Sequence, residues 1–107
     1  MPVSTVIVLT TLPADADALD FGRILVEERL AACVSVIAGL RSVYRWSDAI
    51  EESCEQQLLI KTEASAVAAL ERRIAALHPY DVPELLVLPV GGGGEAYLNW
   101  VHQSIAG

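Results

Sequence analysis

The sequence predicts a single α+β domain over residues 1–107, with elements in the order β-α-β-β-α-β and a further helix at the C-terminus. Three observations carry this. Strand-forming apolar runs recur at 3–12, 33–46, 50–61 and 85–90. A stripe of helical period (Val67, Leu70, Ile74, Leu77) lies between the third run and the fourth. Pro13, the Ser47-Asp48 pair and Pro79 fall between runs, where the chain must stop or turn.

The first run is apolar almost throughout, which suits a strand buried on both faces. Pro13 ends it, and Asp15 is placed to cap a helix reaching about residue 30, with Asp17 favourable against the helix dipole. Val34, Val36, Ile37, Val43, Tyr44 and Trp46 make 33–46 a long strand. Ser47-Asp48 then forms a tight turn in which Asp48 adopts positive φ, and 50–61 returns as a third strand. Thr62 is the candidate N-cap of the second helix, Glu63 sits at its favourable end, and Arg72 and Arg73 lie near its C-terminal end. His78-Pro79 stops it, 85–90 forms the fourth strand, and four glycines at 91–94 form a mobile loop. A helix over 95–105 closes the chain, with Tyr97, Leu98, Val101 and Ile105 on one face.

This order is that of a ferredoxin-like sheet, with helices on one face only. Ile7, Leu9, Val34, Val36, Ile37, Leu58, Leu59 and Ile60 are too many apolar residues for one helix layer. An uncovered apolar sheet face implies association, so an obligate homo-oligomer is expected, with the hairpin around Trp46 reaching a neighbour.

Composition narrows the function classes. The chain is 53% hydrophobic and 20% charged, which argues against disorder. Its net charge of −7 and only seven Lys and Arg weigh against nucleic acid as a partner. No apolar run approaches a membrane span and no secretory leader is legible, so a soluble, cytoplasmic protein is expected. Cys33 and Cys54 form no C-x-x-C pair and read as two buried thiols. They make no structural zinc spacing with His78 or His102. The acidic groups at 15–20 and 51–55 lack calcium-loop spacing and read as solvated faces.

The richest chemistry lies in His78-Pro79-Tyr80-Asp81-Val82-Pro83-Glu84. It holds an imidazole, a phenol and two carboxylates in a turn stiffened by two prolines. Local chemistry leaves two readings open: a ligand site, or a helix stop whose polar groups satisfy nearby backbone. Lys61, at a strand end, could hold an anion or serve as an ion-pair partner. Tyr44, Trp46 and Trp100 are either interface packing or a stacking surface in a cleft. His102 has no paired ligand nearby in sequence and reads as exposed.

Five blocks in order resemble the CutA divalent-cation tolerance family: Leu30-Ala31-Ala32-Cys33-Val34, Ser42-Val43-Tyr44-Arg45-Trp46, Leu59-Ile60-Lys61-Thr62, the His78–Glu84 segment, and Tyr97-Leu98-Asn99-Trp100. The resemblance implies a ferredoxin-like subunit in a tight, PII-like homotrimer, sheets inward and hairpins joining subunits. It implies a role in tolerance of copper and other divalent ions, with His78 and Glu84 as metal ligands and no catalytic residues. The family's cysteine near the end of the first strand is replaced here by Thr10, so copper(II) or another divalent cation is the expected ligand rather than copper(I). The alternative implied by the PII-like assembly is a signalling module. It would bind a small metabolite between subunits, with Tyr44, Trp46, Lys61, Tyr80 and Trp100 as contacts. An enzyme ranks last, because neither a serine nucleophile elbow nor a Cys–His pair is legible.

Overall fold

The computed structural model describes residues 4–107. Its elements are β1 (Thr5–Pro13), α1 (Ala18–Glu27), β2 (Cys33–Trp46), β3 (Ala49–Glu63), a 3-10 turn (Ala64–Ala66), α2 (Val67–Leu77), β4 (Leu86–Pro89) and α3 (Glu95–Ala106). The four strands form one sheet in the order β2-β3-β1-β4, every neighbouring pair antiparallel. The ferredoxin-like expectation holds, with the C-terminal helix added.

Strand register separates the sheet's two faces. Val8 pairs Ile60, Thr10 pairs Leu58, and Val34 and Val36 extend that side through β2. Phe21 and Leu25 of α1 and Leu70 and Ile74 of α2 cover this face and close the core. The alternate residues point the other way: Ile7 and Leu9 of β1, Leu59 and Lys61 of β3, Cys33, Ser35 and Ile37 of β2, and Leu86 and Leu88 of β4. α1 and α2 therefore cover one face, while on the other α3 packs against β3 and β1 near Glu63, and Ile37, Leu86 and Leu88 stay exposed.

β2 and β3 run on past the end of β1. The last β1–β3 pair is Pro13 with Glu55, and beyond it the two strands continue alone to Trp46 paired with Ala49. Ser47 (φ 50°) and Asp48 (φ 65°) close this arm with positive φ at both central residues, as a two-residue primed turn requires. The register slips by one residue between Ile37 and Leu40, where Gly39 stands at φ 83°. That bulge inverts the alternation along β2. Leu40, Ser42, Tyr44 and Trp46 thereby join the side opposite α1 and α2, across from Glu55, Ser53, Glu51 and Ala49. On the arm's other side Val43 is 70% exposed and Ile50 61%.

Several local expectations need correction. The first strand's predicted start at Val3 lies outside the described residues. Asp17, not Asp15, caps α1, its carboxylate accepting from the Asp20 N–H at 3.0 Å. The helix stops at Glu27, short of residue 30, because Arg29 turns the chain with φ 59°. Thr62 is not a cap: it lies in β3, fully buried, and its hydroxyl donates to the Leu30 carbonyl at 2.8 Å. The 3-10 turn leads into α2, which has no side-chain cap. Arg73 leaves the helix end to grip Glu28, with Nη2 to Oε2 at 2.8 Å and Nε to Oε1 at 2.9 Å. Cys54 is exposed on the arm and Cys33 half-buried; both are free thiols.

Ile74→Ala should cost about 2–5 kcal/mol, as for a fully buried aliphatic side chain. Asp17→Ala should cost about 1 kcal/mol through the lost cap. Urea denaturation checks both, and the Ile74 variant must unfold at clearly lower denaturant than the Asp17 variant.

Candidate functional site

The end of β1 supplies backbone carbonyls that three long-range side chains bind. Gln56 donates to the Pro13 and Ala16 carbonyls at 3.0 and 2.9 Å, and Gln57 to the Thr10 carbonyl at 2.9 Å. His78 Nε2 meets the Thr11 carbonyl at 2.6 Å. A carbonyl oxygen can only accept, so Nε2 carries the hydrogen. The Tyr80 backbone N–H donates to His78 Nδ1 at 3.1 Å, so that nitrogen carries none. Both ring nitrogens are therefore engaged. The imidazole is only 8% exposed, with Phe21 edge-on at 6.1 Å and Tyr80 tilted against it at 4.9 Å between centroids.

Pro79 explains how a helix end delivers this ring. The chain leaves α2 at His78 in extended geometry (φ −78°, ψ 137°), as a residue preceding proline favours. The turn then places the Tyr80 hydroxyl 2.8 Å from Glu55 Oε2, to which it donates. Burial first, then this bond and charge of Glu55, push the Tyr80 phenol up from 10.0 to about 12, with smaller contributions from Tyr44 and Asp15.

Glu84 is half-buried, and the Gln57 amide approaches its Oε2 at 3.4 Å. Thr11 and Gln57 are register partners, so His78 and Glu84 are tied to the same rung of the sheet from opposite ends of their segment. Among the described residues no three His, Cys, Asp or Glu side chains converge as a metal cluster. Within one chain the donor set is Glu84 alone, unless His78 releases one ring nitrogen. Thr10 lies on the side covered by α1 and α2, with its hydroxyl buried and without a hydrogen-bond partner.

The remaining candidates stand apart. Lys61 donates to Ser35 Oγ at 2.6 Å on the face opposite α1 and α2. Tyr44, bound through its hydroxyl to Ser53 Oγ at 2.7 Å, and Trp46 lie out on the arm. Tyr44 pairs with Glu51, ten residues along β3 from Lys61, or roughly 33 Å at the usual strand rise. Trp100 packs against Tyr97 on α3, both exposed. One chain does not bring these residues into one cleft. His102 is not unpartnered: Nδ1 meets Glu63 Oε1, tying α3 to the end of β3. Glu55, read from sequence as part of a solvated acidic face, is instead buried and accepts from Tyr80, while Gln57 and Ser35 were not singled out. The signal for the first two was Glu55-Gln56-Gln57, three polar residues entering a strand whose partners are apolar, since buried polar groups need partners.

Residues 6–104 match the family model described as CutA1 divalent ion tolerance protein. The chain belongs to the CutA1 family. It is 45% identical over 98 residues to the divalent-cation tolerance protein CutA of Thermus thermophilus, covering 92% of this chain and 95% of that one. It is 47% identical over 100 residues to the protein of that name from Pectobacterium atrosepticum, covering 94% and 91%. The crystal structure of CutA1 from Oryza sativa superposes with a TM-score of 0.92 at 37% identity, covering 95% of this chain and 94% of that one. These CutA relatives carry the name of tolerance proteins rather than of an enzyme.

Tyr80 binds its proton more tightly in the folded chain than in the unfolded one, where the ordinary value applies. Its linkage makes stability fall as pH rises from about 10 to about 12, and leaves it unchanged below that window. Tyr80→Phe should flatten this fall. Urea midpoints at about pH 9 and about pH 11.5 check it, alongside the phenolate absorbance titration.

Proposed function

We propose that this CutA1 protein serves divalent-cation tolerance by binding the ion itself, copper(II) or a similar cation, as a homotrimer. The observation that carries the reading is the shared rung: His78 and Glu84 are both held at the Thr11–Gln57 pair. Imidazole and carboxylate suit copper(II) or zinc. Glu84 offers its carboxylate directly, and His78 joins it through Nδ1 by giving up the bond from the Tyr80 N–H, while Nε2 keeps its hydrogen on the Thr11 carbonyl. Two ligands are too few for a tight site, so carboxylates of a neighbouring copy complete the set. The apolar residues left exposed on the face opposite α1 and α2, and the unsupported arm, favour such a neighbour, since a two-stranded hairpin is marginal alone in water.

A second reading is a PII-like module that takes a small metabolite between subunits. Lys61 favours it: among the described residues no carboxylate lies within ion-pair distance of this half-buried cation.

Calorimetric titration of chelator-treated protein with copper(II) should show saturable binding, Kd about 1 μM or tighter, near one ion per subunit. His78→Ala with Glu84→Ala should abolish it, and unchanged binding in that variant would sink the metal reading. Saturating copper should also raise the unfolding temperature of the wild type only.

A further inference from the structure

We infer that Tyr80 is a latch over the Nδ1 nitrogen of His78, held shut by the buried carboxylate of Glu55. This rests on the metal reading above and names the positioning residue that controls entry to that site.

The tautomer fixes which nitrogen is at stake. His78 Nε2 keeps its hydrogen on the Thr11 carbonyl, so Nδ1 carries the ring's one available lone pair. A carbonyl behind one nitrogen and a metal on the other is the usual way an imidazole ligand is oriented. What occupies Nδ1 is the Tyr80 N–H, at 3.1 Å. A metal ion sits about 2.0 Å from such a nitrogen, too close for that N–H to stay. The ring does not swing aside, because it is buried, packed by Phe21 and tied to Thr11. Tyr80 is therefore the part that must withdraw.

Tyr80 is pinned at both ends. Its ring lies against the imidazole at 4.9 Å, and its hydroxyl donates to Glu55 Oε2 at 2.8 Å. Glu55 is buried, and among the described residues no cation lies within ion-pair distance of it. Withdrawal of Tyr80 takes from this carboxylate the donor it has, which leaves a buried charge unmatched. A divalent cation arriving at Nδ1 relieves that deficit. Glu55 lies two residues along β3 from Gln57, whose amide approaches Glu84. The movement that opens Nδ1 thus bares a second carboxylate beside the first.

Acylation by diethyl pyrocarbonate needs an open imidazole lone pair and no metal, so it reads the latch alone. Peptide mass spectrometry separates His78 from His102, the other histidine of the sequence. In chelator-treated protein, Tyr80→Phe should raise His78 acylation about tenfold, the scale of one hydrogen bond to a charged group, and leave His102 unchanged. Glu55→Gln keeps the tyrosine and leaves it a neutral acceptor, so it should raise His78 acylation by less; it carries the test if Tyr80→Phe does not fold. Copper(II) should then bind Tyr80→Phe about tenfold more tightly than wild type by calorimetry. Faster acylation with no copper bound by either protein upholds Tyr80 as the cover of Nδ1 and sinks the metal reading. His78 acylated at the wild-type rate in both variants, with copper bound as by wild type, overturns the latch and leaves the metal reading standing. Equal acceleration at both histidines is a general loosening of the fold and also overturns the latch.

Discussion

Everything in this fold follows from strands that are apolar on both faces, in a chain whose α1 and α2 cover one and whose α3 covers only part of the other. β1 and β3 pair in continuous register for nine residues, so their side chains divide into two complete sets. Val8, Leu58 and Ile60 meet α1 and α2 and are fully buried. Ile7, Leu9 and Leu59 face the other way, outside that core, on the side where α3 meets β3 and β1. At about 25 cal/mol per Å², the apolar area left open on that side is a further driving force once something covers it. The folding of the subunit and its tendency to associate therefore have one physical origin.

The polar chemistry gathers where that apolar alternation stops. At the end of β1 the carbonyls of Thr10, Thr11 and Pro13 are taken by Gln57, His78 and Gln56. These contacts fix the His-Pro-Tyr turn against the sheet, and through Tyr80 they reach Glu55. The turn is thus a helix stop whose polar groups are taken up by nearby backbone, one of the two readings that local sequence left open. The histidine's backbone contacts also set the direction of the segment that carries Glu84.

Much of this was legible in the sequence. The bounds of β2, the stripe of α2 and the Ser47-Asp48 turn follow from local signals of period and turn chemistry. Apolar residues in excess of one helix layer announced the open face. What was not legible depends on separation along the chain. The bond from His78 to Thr11 joins residues 67 apart, and the pairing of His102 with Glu63 joins residues 39 apart. Thr62 looked like a cap because it precedes a helix; its hydroxyl is used instead by the Leu30 carbonyl across the core. Asp15 lost the cap to Asp17 because the turn after Pro13 takes more residues than a proline alone suggests.

The bulge at Gly39 has a reach well beyond its own rung. One extra residue makes the β2 ribbon roll over, so the arm shows its two tyrosine and tryptophan rings on the side where the body of the sheet shows aliphatics. Sidedness on the arm is therefore a matter of residue count rather than residue identity. A strand of the same length running through Gly39 without the bulge would present Arg41, Val43 and Arg45 there instead, a basic surface in place of an aromatic one.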